Sequence, residues 1–382
     1  MGGREVTAWG VRAFAAGAWA LVSCMVSATA RPSEAAPAPR IEAAAYLLME
    51  EATGQVLAAH NPHLALPPAS TTKIMTAILV LESLAPDAEV VVGVRASVER
   101  SGATIGLEVG ERRRVAELLH AMLMKSANDA AVALAEAVAG SVEAFVARMN
   151  LRARQLGARA THFVNPHGLH DPAHRSSAYD LALFAREAMR HELFVRIVRS
   201  EVYEYVGSAG AQRIVNSNRL LRQYAGADGV KTGWVGPSGP CLVGSASREG
   251  RRLIAVVLNA PHMYRDTARL LDHGFGGFAL RRLASRGQVF GEHRVDRFGS
   301  VVRGAAASDV VRSIHRDAQV RTHVVFRADL RAPIDAGQTV GYVEFLADGR
   351  RIGSVDLVAA ETLGRPSVFV MMWRWLLGLL GR

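Results

Sequence analysis

Only three of the 45 lysines plus arginines in this 382-residue chain are lysines: Lys73, Lys125 and Lys231. Arginine stays protonated in any protein setting, whereas burial and neighbouring positive charge can bring a lysine to a neutral amine. The lysines are therefore the first places to look for chemistry. Ser70-Thr71-Thr72-Lys73 precedes an apolar run over residues 74–81. A helix starting at Ser70 puts the Lys73 amine one turn from the Ser70 hydroxyl. A serine nucleophile needs a base, and lysine qualifies once its pKa falls well below ~10.4. Ser126-Ala127-Asn128 offers a hydroxyl that can pass a proton and an amide that can hold a peptide group, although singly both residues read as helix caps. In Lys231-Thr232-Gly233 the cation and hydroxyl suit a carboxylate, and the glycine lets backbone approach a ligand closely.

The elements that must position these groups follow from periodicity. Residues 44–49 and 55–58 flank the turn Glu51-Ala52-Thr53-Gly54 as a hairpin, and residues 70–81 form a helix. Apolar spacing predicts further helices over 115–124, 130–139, 142–156 and 178–189. Strands follow near 202–206, 212–215, 229–235, 241–246 and 252–258, then a helix around 264–280. This order predicts an α+β domain with helices against a mostly antiparallel sheet. From about residue 286 to 360 the texture changes to short β-branched runs separated by Pro333, Ala336-Gly337 and Asp348-Gly349, a small all-β module.

Ser-x-x-Lys, Ser-x-Asn and Lys-Thr-Gly, in this order and at these spacings, resemble the penicillin-recognising serine enzymes. Surrounding text narrows the resemblance to low-molecular-mass penicillin-binding proteins that act as serine-type D-alanyl-D-alanine carboxypeptidases. It is carried by Glu51-Ala52-Thr53-Gly54, by Lys125-Ser126-Ala127-Asn128-Asp129-Ala130-Ala131, by Asn165-Pro166-His167-Gly168-Leu169 and by Asp228-Gly229-Val230-Lys231-Thr232-Gly233. The resemblance covers residues 41–382. It implies a β-lactamase/penicillin-binding-protein-like transpeptidase fold, in which an antiparallel sheet with a helical subdomain is followed by a small all-β domain. It further implies that Ser70 attacks the carbonyl between two terminal D-alanines of a peptidoglycan stem pentapeptide, with Lys73 as base and β-lactams as acylating inhibitors. Ser126 and Lys231 would relay a proton to the departing D-alanine, Asn128 would hold the peptide, and Thr232 with Lys231 would bind the terminal carboxylate. The backbone N–H groups of Ser70 and Trp234, next to Gly233, would form the oxyanion hole. Neither a cofactor nor a metal is implied.

Departures from the family pattern separate the alternatives. Trp234 stands where some relatives carry a smaller or polar residue, and it bears on whether the chain is a D,D-endopeptidase on crosslinks instead. Lys125 reads as a surface cation or a substrate contact. A class A β-lactamase needs a glutamate base between the second and third motifs, yet no Glu occurs between Glu143 and Glu187. Ala127 also replaces the aspartate of the β-lactamase motif. A non-catalytic wall-binding protein is disfavoured by the presence of all the catalytic-type residues.

Composition sets the remaining bounds. A chain with 50% hydrophobic residues, 35 Gly and 14 Pro is neither disordered nor collagen-like. The net charge of +10 is scattered, with no dense basic helix interleaved with aromatics, so no nucleic-acid partner is expected. Anionic lipid or wall polymer is the expected counterpart. Residues 1–30 read as an export signal: Arg4 and Arg12, an apolar stretch over 13–26, then Ala28-Thr29-Ala30 as a cleavage site. Leu21-Val22-Ser23-Cys24 is the competing pattern, a lipoprotein box that would leave a lipidated Cys24. Residues 31–40 form a Pro/Ala linker, 41–285 the catalytic domain, 286–362 the β module, and 363–382 an apolar tail. The tail is too short to span a bilayer and suits a membrane interface, with Trp373 and Trp375 at headgroup level. The expected location is the outer face of the cytoplasmic membrane. His162, His167, His170 and His174 match no zinc spacing and read as polar loop surface, while Cys241 reads as core.

Overall fold

The computed structural model describes residues 39–207, 210–296 and 299–365, with the single positions 369, 372 and 373. The expected export signal, most of the linker and most of the apolar tail lie outside the described residues. The chain opens with β1 (Ala45–Glu50) and β2 (Val56–His60), the expected hairpin. Helices α1 (Lys73–Ser83), α2 (Val94–Val98), α3 (Val115–His120), α4 (Asn128–Ala139), α5 (Val142–Gln155), α6 (Ala178–Ala188) and α7 (Glu192–Arg199) follow. The short pair β3 (Glu89–Val91) and β4 (Arg112–Arg114) interrupts them. A ribbon of β5 (Val202–Gly207) and β6 (Gly210–Val215) and the one-turn α8 (Leu220–Gln223) lead to β7 (Ala227–Val235), β8 (Gly239–Arg248) and β9 (Arg251–Leu258).

The main sheet has the order β2-β1-β9-β8-β7 and is antiparallel throughout. Both faces are covered, which is why β9 is a continuous apolar run. Ile254, Val256 and Leu258 face the helical layer, and Leu253, Ala255 and Val257 face α9 (Met263–Gly277). Helix α1 is buried from Lys73 to Val80, so it is apolar nearly all round over that stretch and carries the Lys73 amine into the interior. Strand β7 is left at the sheet edge, and that edge faces the start of α1.

Phe278–Leu280, read from the sequence as the end of a helix, are extended. Gly274, Gly276 and Gly277 weaken the last turn of α9, and Phe278 opens β10 (Phe278–Ala284). β10 pairs with β13 (Val310–His315). The rest of the module is a five-stranded sheet of β11 (Val289–Arg294), β12 (Val301–Ala306), β16 (Arg350–Ala359), β15 (Thr339–Ala347) and β14 (Val320–Phe326), in that order, around Ile334, Val340, Val343, Phe345 and Leu357. A polar lock joins it to the catalytic sheet. Arg251 donates to Glu50 at 2.8 Å, the Ser313 hydroxyl donates to the same carboxylate, and Gln55 exchanges two bonds with the Ser313 backbone at 2.8 and 3.0 Å.

Candidate active site

Ser70 lies in a tight 3-10 turn, Ala69–Thr72, that feeds directly into α1. Its threonines fold back on it: Thr71 Oγ1 donates to the Pro68 carbonyl at 2.6 Å and Thr72 Oγ1 to the Ala69 carbonyl at 2.8 Å. Two glycines permit close approach to this turn. A Cβ on Gly233 would lie 3.0 Å from the Pro68 oxygen and 3.1 Å from the Ser70 nitrogen, so any larger residue pushes β7 away from the serine. Gly168, at φ +91°, lies so close that a Cβ would overlap the Ala69 carbonyl.

Lys73 is fully buried beneath Ser70. Its amine lies 3.1 Å from Ser70 Oγ and donates to Asn128 Oδ1 at 2.7 Å and to the His167 carbonyl at 2.7 Å. Burial holds its pKa well below the usual lysine range, the charge of Lys231 adds to this, and Asp129 and Glu99 oppose it. A neutral amine has two hydrogens and a lone pair. With Asn128 and His167 taking the hydrogens, the lone pair is aimed at the Ser70 hydroxyl. Lys231 is also buried, its pKa brought down by that burial to about 7, and it donates to the Thr232 carbonyl at 3.0 Å.

Ser126 follows a π-helical turn, Ala121–Lys125, and sits in the left-handed region at φ +70°. Such turns and conformations cluster at functional sites, and this one brings Ser126 to the cleft wall. The sequence predicted one helix over 115–124; the regular helix stops at His120 because the chain must swing Ser126 out. Asn128 begins α4 and donates Nδ2 to the Ser101 carbonyl at 2.6 Å, which orients its Oδ1 toward Lys73.

Ser70, Ser126, Asn128, Thr232, Gly233 and Trp234 line one cleft of about 640 Å³. Lys73 and Lys231 lie under its floor. Trp234 is 68% exposed at the rim, and Lys125 is exposed outside the cleft. Sequence reasoning missed Ser217, whose hydroxyl is 3.1 Å from Thr232 Oγ1, as well as Arg219, Met263 and Tyr264 on the same wall. None of these belongs to a motif. It also assigned no role to Asp129. One carboxylate oxygen of Asp129 accepts the amides of Ile105, Gly106 and Leu107 at 2.9, 2.9 and 3.3 Å, and the other accepts Ala130 at 2.9 Å. This buried carboxylate shapes the loop that carries Gly102 and Ala103 to the cleft.

The expectation of a polar histidine surface fails for two of the four residues. His162 and His170 are exposed, but His167 and His174 are buried. His174 Nδ1 accepts from the Val164 amide at 3.1 Å, so its proton sits on Nε2, 2.8 Å from Thr72 Oγ1. His167 Nδ1 accepts from Leu169 at 3.2 Å. Both rings are thus built in as neutral struts behind the turn that carries Ser70. Burial, with the Lys73 charge adding to it for His167, holds them at about 3 for His167 and about 4 for His174.

Those folded values lie below the unfolded value of ~6.5, so below that pH the unfolded chain binds more protons than the folded one. The stability tied to the neutral rings is present above ~6.5 and is lost as pH falls toward the folded values. Between about pH 7.5 and about pH 5 we expect a loss of up to about 2 kcal/mol per ring, seen as a falling Tm. His174→Gln should show a smaller fall than the unaltered chain. A Tm that does not change over this range contradicts the assignment. Cys241 is buried core as expected, its thiol pushed up to about 11 by burial.

A serine over a buried lysine amine, faced by a sheet edge that carries Lys-Thr-Gly, gives the chain the layout of the penicillin-recognising acyl-transfer enzymes. The sequence profile described as D-alanyl-D-alanine carboxypeptidase matches residues 32–262, and that of the penicillin-binding protein 5 C-terminal domain matches residues 278–365. The chain belongs to the D-alanyl-D-alanine carboxypeptidase family, serine peptidases of the cell-wall space that act on peptidoglycan and are acylated by β-lactams. It is 32% identical to D-alanyl-D-alanine carboxypeptidase DacF of Bacillus subtilis over 87% of this chain and 89% of the relative. It is 33% identical to DacC of Escherichia coli over 88% of each. Penicillin-binding protein 5 of Haemophilus influenzae superposes with a TM-score of 0.74 at 31% identity, covering 86% of this chain and 99% of that one. The predicted fold class, with its C-terminal all-β domain, is borne out.

Proposed function

We propose that this chain removes the terminal D-alanine from peptidoglycan stem pentapeptides, and that its own Ser70 and Lys73 carry the reaction. The observation that carries this reading is the two-way anchoring of the buried Lys73 amine by Asn128 Oδ1 and the His167 carbonyl, which leaves its third direction for Ser70 Oγ, 3.1 Å away. Lys73 takes the hydroxyl proton as Ser70 Oγ attacks the scissile carbonyl. The N–H groups of Ser70 and Trp234 stabilise the oxyanion, contacts worth a few kcal/mol in such sites. The C–N bond then breaks as Lys73 passes that proton through Ser126, with Lys231, to the nitrogen of the departing D-alanine, which leaves Lys73 neutral again. A water that loses its proton to Lys73 attacks the acyl-enzyme, and that proton passes to Ser70 Oγ as the ester bond breaks and frees the shortened peptide. Thr232 hydrogen-bonds the terminal carboxylate, Lys231 supplies positive charge beneath it, and Asn128 holds the peptide backbone. The Ser217 hydroxyl beside Thr232 supports the same subsite.

The domain division over 41–285 and 286–362 is part of this proposal, and the pairing of β10 with β13 supports drawing the boundary nearer Gly277. Export through residues 1–30 and attachment of the tail over 363–382 to the membrane belong to it too. Exposed Phe369, Met372 and Trp373 support that use of the tail. On a synthetic pentapeptide ending in D-alanyl-D-alanine, the purified mature chain should release one D-alanine per peptide and Ser70→Ala none. Release by Ser70→Ala at the unaltered rate would remove the assignment.

A further inference from the structure

On the far side of Arg219, Met263 and Tyr264, which wall the catalytic cleft, lies a second concavity of about 590 Å³. Contacts run continuously from one to the other. Thr232 Oγ1 is 3.1 Å from Ser217 Oγ, Tyr264 OH donates to the Ser217 carbonyl at 3.2 Å, and the Arg219 guanidinium lies 5.0 Å over the Tyr264 ring. The groove adds apolar surface from Pro240 and Pro261 and polar groups from Gln223 and Arg265. Arg265 is held by Glu42 at 2.9 Å, whereas Arg219 has no carboxylate partner among the described residues. A permanently charged, exposed guanidinium without a counterion, at the junction of two joined concavities, calls for an anionic ligand that extends through both.

We propose that this groove is a second subsite for an acidic peptide covalently joined to the one in the cleft. The preferred substrate is then a crosslinked two-peptide fragment that still ends in D-alanyl-D-alanine, in preference to an isolated stem peptide. The inference rests on the carboxypeptidase reading above. The carboxylates of the second peptide supply charge for Arg219, and its aliphatic portions lie against the apolar wall. The chemistry at Ser70 is unchanged; the groove contributes binding energy available only to the larger substrate.

The test compares kcat/KM for a short blocked peptide ending in D-alanyl-D-alanine with that for a crosslinked peptide dimer with the same end. Gln223→Glu places a negative charge in the groove, and Gln223→Trp fills it; neither touches the catalytic groups. Both variants should hydrolyse the short peptide within about twofold of the unaltered chain and the dimer about fivefold more slowly, the Gln223→Glu deficit shrinking as salt is raised. A dimer-to-short ratio unchanged in both variants overturns the subsite. Equal losses on both substrates overturn it as well, because the groove then acts through the cleft. If the unaltered chain hydrolyses neither substrate, the carboxypeptidase reading fails first and takes the subsite with it.

Discussion

Replacing Lys73 with methionine is expected to slow acylation by about a thousandfold while the chain still folds. Methionine fills similar volume without the cost of burying an amine. Against that, Asn128 Oδ1 and the His167 carbonyl lose their donor. These effects oppose one another, so Tm should move by only a few degrees. The pH profile carries the mechanism. The base must be neutral to take the Ser70 proton, so acylation in the unaltered chain should rise as pH increases through the titration of the lysine pair. Burial has brought Lys231 to about 7 and holds Lys73 well below its usual range, so the apparent value belongs to the pair. Stopped-flow acylation by a chromogenic β-lactam reads both effects. A Lys73→Met variant that keeps the rising limb and the unaltered rate would show that the base lies elsewhere.

Gly168→Ala is the second large effect, and it acts without removing any reactive group. The residue sits at φ +91° with its missing Cβ directed at the Ala69 carbonyl and 2.9 Å from Thr72 Oγ1, the two atoms that shape the nucleophile turn. Left-handed strain and overpacking together cost about 2–4 kcal/mol. A displacement of the turn near 1 Å lowers the acylation rate by about a hundredfold. Gly106→Ala is the control: its φ is +76° and nothing lies within 4 Å, so it pays strain alone and should keep its rate. Equal acylation rates for the two variants would mean that the loop over residues 165–169 does not position Ser70.

Much of this arrangement was legible in the sequence because the chemistry is concentrated in contiguous motifs. The rarity of lysine singled out Lys73 and Lys231, and the period-two and period-3.6 patterns located the strands and helices that carry them. What stayed hidden depends on contacts between distant segments. Asp129 looks like an ordinary residue near a helix start until its carboxylate is seen gathering the amides of Ile105, Gly106 and Leu107. His167 and His174 sit in a polar stretch, and nothing local shows that α1 and the nucleophile turn bury them. The π turn before Ser126 has the same apolar periodicity as a helix, since the reason it deviates is the position of Ser126 in the cleft. Ser217, Arg219 and Tyr264 reach the site from a loop and from the start of α9, elements whose placement is set by the sheet. Conversely, Phe278–Leu280 kept a helix-like apolar pattern while the module claimed them as a strand, a case of tertiary pairing overriding local pattern.

The central claim is that Ser70 is the acylated nucleophile of a D-alanyl-D-alanine carboxypeptidase, and intact-mass measurement of the mature chain with benzylpenicillin tests it most directly. The account predicts a single penicilloyl adduct, mapped to Ser70 by peptide digestion and absent from Ser70→Ala. No adduct with the penicillin left intact, or an adduct that persists in Ser70→Ala, would contradict it, while penicillin consumed without an adduct would make the chain a β-lactamase instead.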